Sequence, residues 1–147
     1  MSQFNVNEFM PYLLYQAAEA SGLEFQEVYK RRYGMLRTEW RVLFHLGGNG
    51  AMTASQIGAL ANLHKTKISR AVQKLSDRRF LIRRRDTSDR RSEQLSLTPA
   101  GQAVYADLIQ VAQSYDQVLL SDLTPHEAQV LRRTLHKLCS KDMPRFT

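Results

Sequence analysis

Eleven basic side chains, Lys65, Lys67, Arg70, Lys74, Arg78, Arg79, Arg83, Arg84, Arg85, Arg90 and Arg91, fall within positions 64–91, against three acidic ones, Asp77, Asp86 and Asp89. That segment carries +8 while the whole 147-residue chain carries +7, so everything outside it is nearly balanced at −1. Positive charge gathered into about one fifth of a chain suits that fifth to a polyanion. A solvated surface is the plainer reading of a charge run. A membrane-surface helix fits poorly, because strand and turn signals are mixed with helical ones. Catalytic and metal chemistry is thinly supplied. His45, His64, His126 and His136 are scattered without ligand spacing, and no Gly-x-Ser-x-Gly occurs. Gly47-Gly48-Asn49-Gly50 trails a helical pattern with no Lys-Ser or Lys-Thr behind it, which predicts a turn and not a phosphate loop. No enzyme activity, catalytic residue, metal or cofactor is expected.

Within the basic segment, Ile68, Ala71, Val72 and Leu75 recur at i, i+3, i+4 and i+7, the stripe of an amphipathic helix. At about 100° per residue the opposite side displays Thr66, Arg70 and Gln73, flanked by Ser69, Lys67 and Lys74. Such a face can read a DNA major groove. Arg forks onto the two acceptors of guanine, Gln pairs with adenine, and Thr or Ser take either role. Thr66, Ser69, Arg70 and Gln73 are the candidate base readers. Lys65, Lys67 and Lys74 suit phosphates, which fix register without reading sequence. Next comes a charged turn, Asp86-Thr87-Ser88-Asp89-Arg90-Arg91, where Arg90 and Arg91 can enter an adjacent minor groove. Asp89 beside them can hold one guanidinium in place, or serve turn chemistry as Asp86 does.

These groups need elements to position them. Thr53 and Gln56 have capping-box spacing, opening a short helix that buries Ile57 and Leu60, and Asn62-Leu63-His64 separates it from the reading helix. Residues 81–85 and 92–97 are strand-length, making a hairpin with a basic tip. Upstream, a long helix follows Asn7 as N-cap and runs to about Tyr33, with Pro11 in its opening turns. Gly34 breaks it, and Thr38 caps a second helix carrying Trp40, Val42, Leu43 and Leu46. Downstream, Thr98-Pro99 and Thr124-Pro125 each place a cap before a proline, and Glu127 completes a box for the second. The fold class is mainly α (α+β): a winged helix-turn-helix between long N- and C-terminal helices.

Composition agrees with one soluble domain over residues 1–147, at 43% hydrophobic and 24% charged. The lone Cys139 excludes an intrachain disulfide, no apolar run reaches membrane-span length, and the first residues lack signal-peptide order. The expected address is the cytoplasm. The terminal helices carry more apolar side chains than one thin layer buries, which points to a homodimer.

Residues 53–60, the helix over 65–75, the Asp89-Arg90-Arg91 wing and the run Leu95-Ser96-Leu97-Thr98-Pro99-Ala100-Gly101 resemble the MarR family of bacterial transcription regulators. Trp40-Arg41-Val42-Leu43 and the long flanking helices fit as well, so the likeness covers nearly the whole chain. It implies a DNA-binding part over 36–98 and dimerisation helices over 1–35 and 99–147. It further implies a homodimer on a palindromic double-stranded operator, acting as a repressor released by a small aromatic or phenolic effector. The effector would sit between the dimerisation helices and the winged motif, where Trp40, Arg41 and His45 are the candidates, although core packing explains Trp40 equally well. Two alternatives stand beside this one. One is a nonspecific architectural DNA binder. The other is a thiol-based redox sensor using Cys139, with His136 and Lys141 nearby.

Overall fold

Helices form where apolar side chains repeat at helical spacing, and the period shortens to two only after Phe80. The computed structural model describes residues 3–85 and 92–140. A 3-10 turn at Val6–Glu8 leads into α1 (Met10–Tyr33), α2 (Arg37–Asn49), β1 (Met52–Thr53), α3 (Ala54–Ala61), α4 (Lys65–Asp77), β2 (Leu81–Arg85), β3 (Glu93–Leu97), α5 (Pro99–Leu119) and α6 (Pro125–Ser140). The expected class, helices around a small sheet with a helix-turn-helix and a wing, is the one found.

The chain divides into two compact units that join in sequence at Ala112 and Gln113. In the first, Leu43 and Leu46 of α2, Ile57 of α3, Leu75 of α4, Leu95 of β3 and Leu108 of α5 are at most 1% exposed and share one core. The second comprises the chain from Gln113 onward. There Arg132 donates to Asp116 at 2.6 Å, and α6 buries no residue.

Helix ends are set by short-range chemistry legible in the sequence. Gln56 N–H donates to Thr53 Oγ1 at 3.1 Å and Thr53 N–H to Gln56 Oε1 at 2.9 Å, closing the box that starts α3. Glu127 and Thr124 repeat the arrangement at α6, at 3.1 and 3.0 Å. Thr98 Oγ1 accepts from Gly101 N–H at 3.0 Å and donates to the Arg79 carbonyl at 2.7 Å. One hydroxyl thus caps α5 and pins the exit from α4. Arg79 has φ +60°, a left-handed conformation that costs a non-glycine residue roughly 1 kcal/mol or more. That bend turns the chain from α4 into the wing.

Five expectations need correction. Asn7 does not cap α1; it lies in the 3-10 turn, whose cap is Asn5, and Phe9 precedes α1 without a side-chain bond. Pro11 near the helix start fixes φ and leaves one N–H fewer to satisfy. Thr38 lies inside α2, whose first residue is Arg37; Leu36 precedes it and Glu39 Oε2 accepts from Leu36 N–H at 3.3 Å. Gly47 and Gly48 stay helical, and only Gly50, at φ +77°, turns the chain. A Cβ on Gly47 would overlap the Tyr105 ring, so this glycine serves helix packing. Leu60 is 60% exposed, because the short α3 presents one stripe to the core and Ile57 occupies it. Lastly, β1 was not expected. Met52 opposite Leu95 and Thr53 opposite Gln94 make β3 the central strand, flanked by β1 and β2.

Candidate nucleic-acid interface

The stripe that defines α4 is buried as spaced: Ile68, Ala71, Val72 and Leu75 all face the core. Burying four apolar side chains on one helix, at about 1.5–3 kcal/mol for each large one, fixes its rotation about its axis. Lys65, Thr66, Lys67, Ser69, Arg70, Gln73 and Lys74 are then all exposed. Asn62, left-handed at φ +54°, closes α3, and His64 precedes α4 in extended conformation without a side-chain cap bond. The first N–H groups of α4 therefore receive no side-chain acceptor from the cap residue, and a helix N-terminus in that state favours an anion.

Register makes the wing the second part of this surface. Arg83 stands opposite Leu95 and Arg85 opposite Glu93, so alternation places Leu81, Arg83 and Arg85 on one face of β2. Leu81 and Leu95 on that face are buried, so it looks back toward the helices. Arg83 donates through Nε to Glu93 Oε2 at 2.9 Å, with Nη2 in ion-pair contact with the same oxygen at 2.9 Å, and through Nη1 to Gln73 Oε1 at 3.2 Å. Gln73 Nε2 in turn donates to Asp77 Oδ1 at 2.7 Å. A cleft of about 680 Å³ lies between α3, α4 and the wing, lined among others by Ser55, Lys65, Ser69, Arg83, Arg85 and Glu93.

Lys74, expected at a phosphate, has its Nζ 3.6 Å from Glu39 Oε1. Glu39 is 3% exposed and is the buried charged side chain among the described residues. A carboxylate in that position needs a counter-charge, and Lys74 with Leu36 N–H supplies its partners. The sequence signal was half a capping pattern: Glu39 stands where a carboxylate reaches back to the backbone N–H before the helix, but Leu36 lacks the hydroxyl that completes the box. Arg83 carried no comparable signal, because its register against Leu95 and its contact with Gln73 are set by folding.

Trp40, Arg41 and His45 share α2, and none of them lines the cleft between α3, α4 and the wing. The Trp40 ring stacks on Tyr29 at 5.9 Å and meets Phe25 edge-on at 5.2 Å, with Phe44 at 5.6 Å. Half-buried His45 lies edge-on to Phe44 at 5.4 Å, while Arg41 is exposed. Burial, and then the charge of Arg41, push the His45 pKa down, so its neutral form is favoured. Beneath this cluster Arg37 donates to Glu19 at 3.1 Å and Gln26 at 3.3 Å. Burial raises the Tyr29 hydroxyl pKa against the opposing pull of Arg37. Arg32 and Tyr33 of α1 both donate to Asp107 of α5, Arg32 at 3.0 and 3.1 Å.

Asp86, Asp89, Arg90 and Arg91 lie outside the described residues. Cys139 is exposed on α6. Among the described residues, no three His, Cys, Asp or Glu side chains gather as a metal set, and no helix is long and apolar enough to cross a membrane.

Residues 33–92 match the MarR family. The chain is 25% identical over 114 residues to the HTH-type transcriptional regulator SarZ of Staphylococcus epidermidis, covering 78% of this chain and 76% of SarZ. Its fold is shared with Bordetella bronchiseptica BpsR, a protein whose DNA binding is regulated by 6-hydroxynicotinic acid. That likeness has a TM-score of 0.87 and 22% identity, over 96% of this chain and 100% of the other. A MarR variant from E. coli complexed with operator DNA is similar at a TM-score of 0.80 and 21% identity, over 92% and 99% of the two chains.

Proposed function

Residues 33–92 being a MarR-family segment, we propose that this chain is a DNA-binding transcriptional regulator that reads a palindromic operator as a homodimer. The observation that carries the reading is the exposed polar face of α4, set opposite a buried stripe and beside a basic wing. Thr66, Ser69, Arg70 and Gln73 meet base edges in the major groove, and Lys65 and Lys67 meet phosphates at the open helix start. Lys74 reaches phosphate only by sharing its charge with Glu39. Asp89, Arg90 and Arg91 take the minor groove. Residues 36–98 form the reading part, and 1–35 with 99–147 the dimerisation helices. The chain acts on cytoplasmic DNA as a repressor, by occupying a promoter.

Release follows when a small aromatic acid or phenol binds a dimer arrangement whose two α4 helices no longer match the groove spacing. BpsR, with its hydroxynicotinic acid, supports that chemical class. The filled aromatic cluster around Trp40 argues that an effector near α2 must displace packing to enter.

Selection of bound duplexes from a random pool tests the proposal. The expected product is a palindrome whose half-sites are centred about 10 base pairs apart, or a multiple of that. Enrichment of no sequence would identify the architectural binder instead and defeat the regulator reading. On the selected site, Arg70→Ala should relax preference at one base pair per half-site. Lys67→Ala should weaken all sequences alike and flatten the salt slope by about 0.9.

A further inference from the structure

The geometry points to Arg83 as a positioning residue that, with Asp77, fixes the donor–acceptor polarity of the Gln73 amide and thereby selects adenine over guanine at the base pair Gln73 addresses. This inference rests on the DNA-binding reading and adds to it a residue that touches no base. A glutamine amide has a donor end and an acceptor end of nearly equal shape, and rotation by half a turn exchanges them. On α4 that exchange is blocked from both sides. The oxygen accepts from Arg83 Nη1 at 3.2 Å, and the nitrogen donates to Asp77 Oδ1 at 2.7 Å. Flipped, the oxygen would face a carboxylate and the NH2 group a guanidinium, two repulsive pairs in place of two attractive ones.

The guanidinium is itself held. Arg83 Nε donates to Glu93 Oε2 across the strand pair, and Nη2 lies 2.9 Å from the same oxygen as an ion pair. Glu93 is the diagonal neighbour of Arg83, because the residue directly opposite is Leu95. The chain Asp77, Gln73, Arg83, Glu93 thus crosses from the reading helix to both strands of the wing. Each amide atom keeps one bonding position: the nitrogen a second hydrogen, the oxygen a second lone pair. Adenine offers a donor beside an acceptor in the major groove and matches an amide of fixed polarity, whereas guanine offers two acceptors and would set O6 or N7 against the Gln73 oxygen. A free glutamine could turn its NH2 group toward guanine; this one is denied that adjustment before DNA arrives. Because Glu93 meets the Arg83 charge, Arg83 contributes little to phosphate attraction.

The test uses the full-length protein and the duplex it selects from a random pool. Wild type, Gln73→Ala, Arg83→Ala and the Gln73→Ala/Arg83→Ala double variant are compared for their adenine-to-guanine ratio at each position. Arg83→Ala should flatten, by roughly tenfold, the same adenine position that Gln73→Ala flattens. The double variant should add nothing further, and the salt slope should stay unchanged. Arg83→Met, which keeps the length of the side chain and removes its donors, is judged by the same criterion should Arg83→Ala fold poorly. Retention of the Gln73-dependent adenine preference overturns the inference while leaving the regulator reading intact. So does a uniform loss on all sequences with a shallower salt slope, which would make Arg83 a phosphate contact. If wild type selects no sequence at all, the regulator reading fails first and takes this inference with it.

Discussion

The middle of the chain and its two ends treat apolar side chains in opposite ways. Every buried hydrophobic residue among those described lies between positions 29 and 108. Towards the N-terminus Phe4, Phe9, Met10 and Tyr15 are exposed, and towards the C-terminus Val118, Leu119, Leu131 and Leu135 are. Phe4 and Val118 exceed 70% exposure, and α6 buries nothing. The middle closes its own core, against which the buried stripe of α4 packs. The ends leave apolar surface that a second copy would cover on the proposal above, since an uncovered patch of this kind marks an association site. On that proposal, the shape of one DNA-binding unit is a property of a single chain, and the spacing of two such units a property of association.

The contrast can be broken at the core first. Leu75→Ala, at a fully buried position of α4, should lower unfolding free energy by about 3 kcal/mol in urea titration at every protein concentration. A loss below about 1 kcal/mol would mean that the middle does not close as described. At the other extreme, Leu131→Asp on α6 should weaken self-association at least tenfold by sedimentation, roughly 1.4 kcal/mol, while the monomer's circular dichroism stays helical. A wild-type chain that sediments as a monomer at micromolar concentration would remove the association half of the comparison.

Smaller effects sharpen it. Thr53→Ala and Thr124→Ala delete equivalent caps, one in each unit, and each should cost about 1 kcal/mol of local helix stability. Only the first should move the global urea midpoint of the core unit, and hydrogen exchange along α3 and α6 separates the two. The smallest effect concerns acid. Hydrogen bonds from Tyr33 and then Arg32 hold the Asp107 carboxyl below its ordinary pKa of 3.8. Its ionised form is thus favoured by folding. The stability it adds is complete above that ordinary value and is lost as pH falls through the depressed one. Burial, and then the bond to Asp107, raise the Tyr33 pKa, so the tyrosine's own contribution is present at neutral pH and lost only in strong base. Asp107→Asn should flatten the acid limb of a melting-temperature profile and leave its neutral region nearly parallel to wild type. An unchanged acid limb would show that the exposed carboxylate is screened by solvent.

Much of this was readable from residue order because the governing interactions are short in sequence. The α4 stripe spans two turns, the caps at Thr53, Thr98 and Thr124 span three residues, and the strand alternation of 93–97 spans five. The exposed polar face of α4 followed from the stripe alone. What escaped depends on distant partners. A two-residue β1 has no period of its own and exists because β3 lies beside it. Gly47 remains helical because Tyr105 of α5 needs its missing side chain. Lys74 is drawn to Glu39 because that carboxylate is buried 35 positions earlier in the chain. The partners of Trp40, for which core packing was one of two readings, are likewise distant: it stacks among Phe25, Tyr29 and Phe44 from two helices.

By itself the sequence determined the order of elements, the concentration of cations on one segment and the polar side chains left exposed on α4, since charge and helical phase are local quantities. Tertiary structure alone decided which of those side chains is held by a distant neighbour. Arg70 stands exposed, whereas Gln73 is oriented by a residue on a strand that only folding brings alongside. Hydrogen bonds act over three ångströms of space, whatever the separation along the chain.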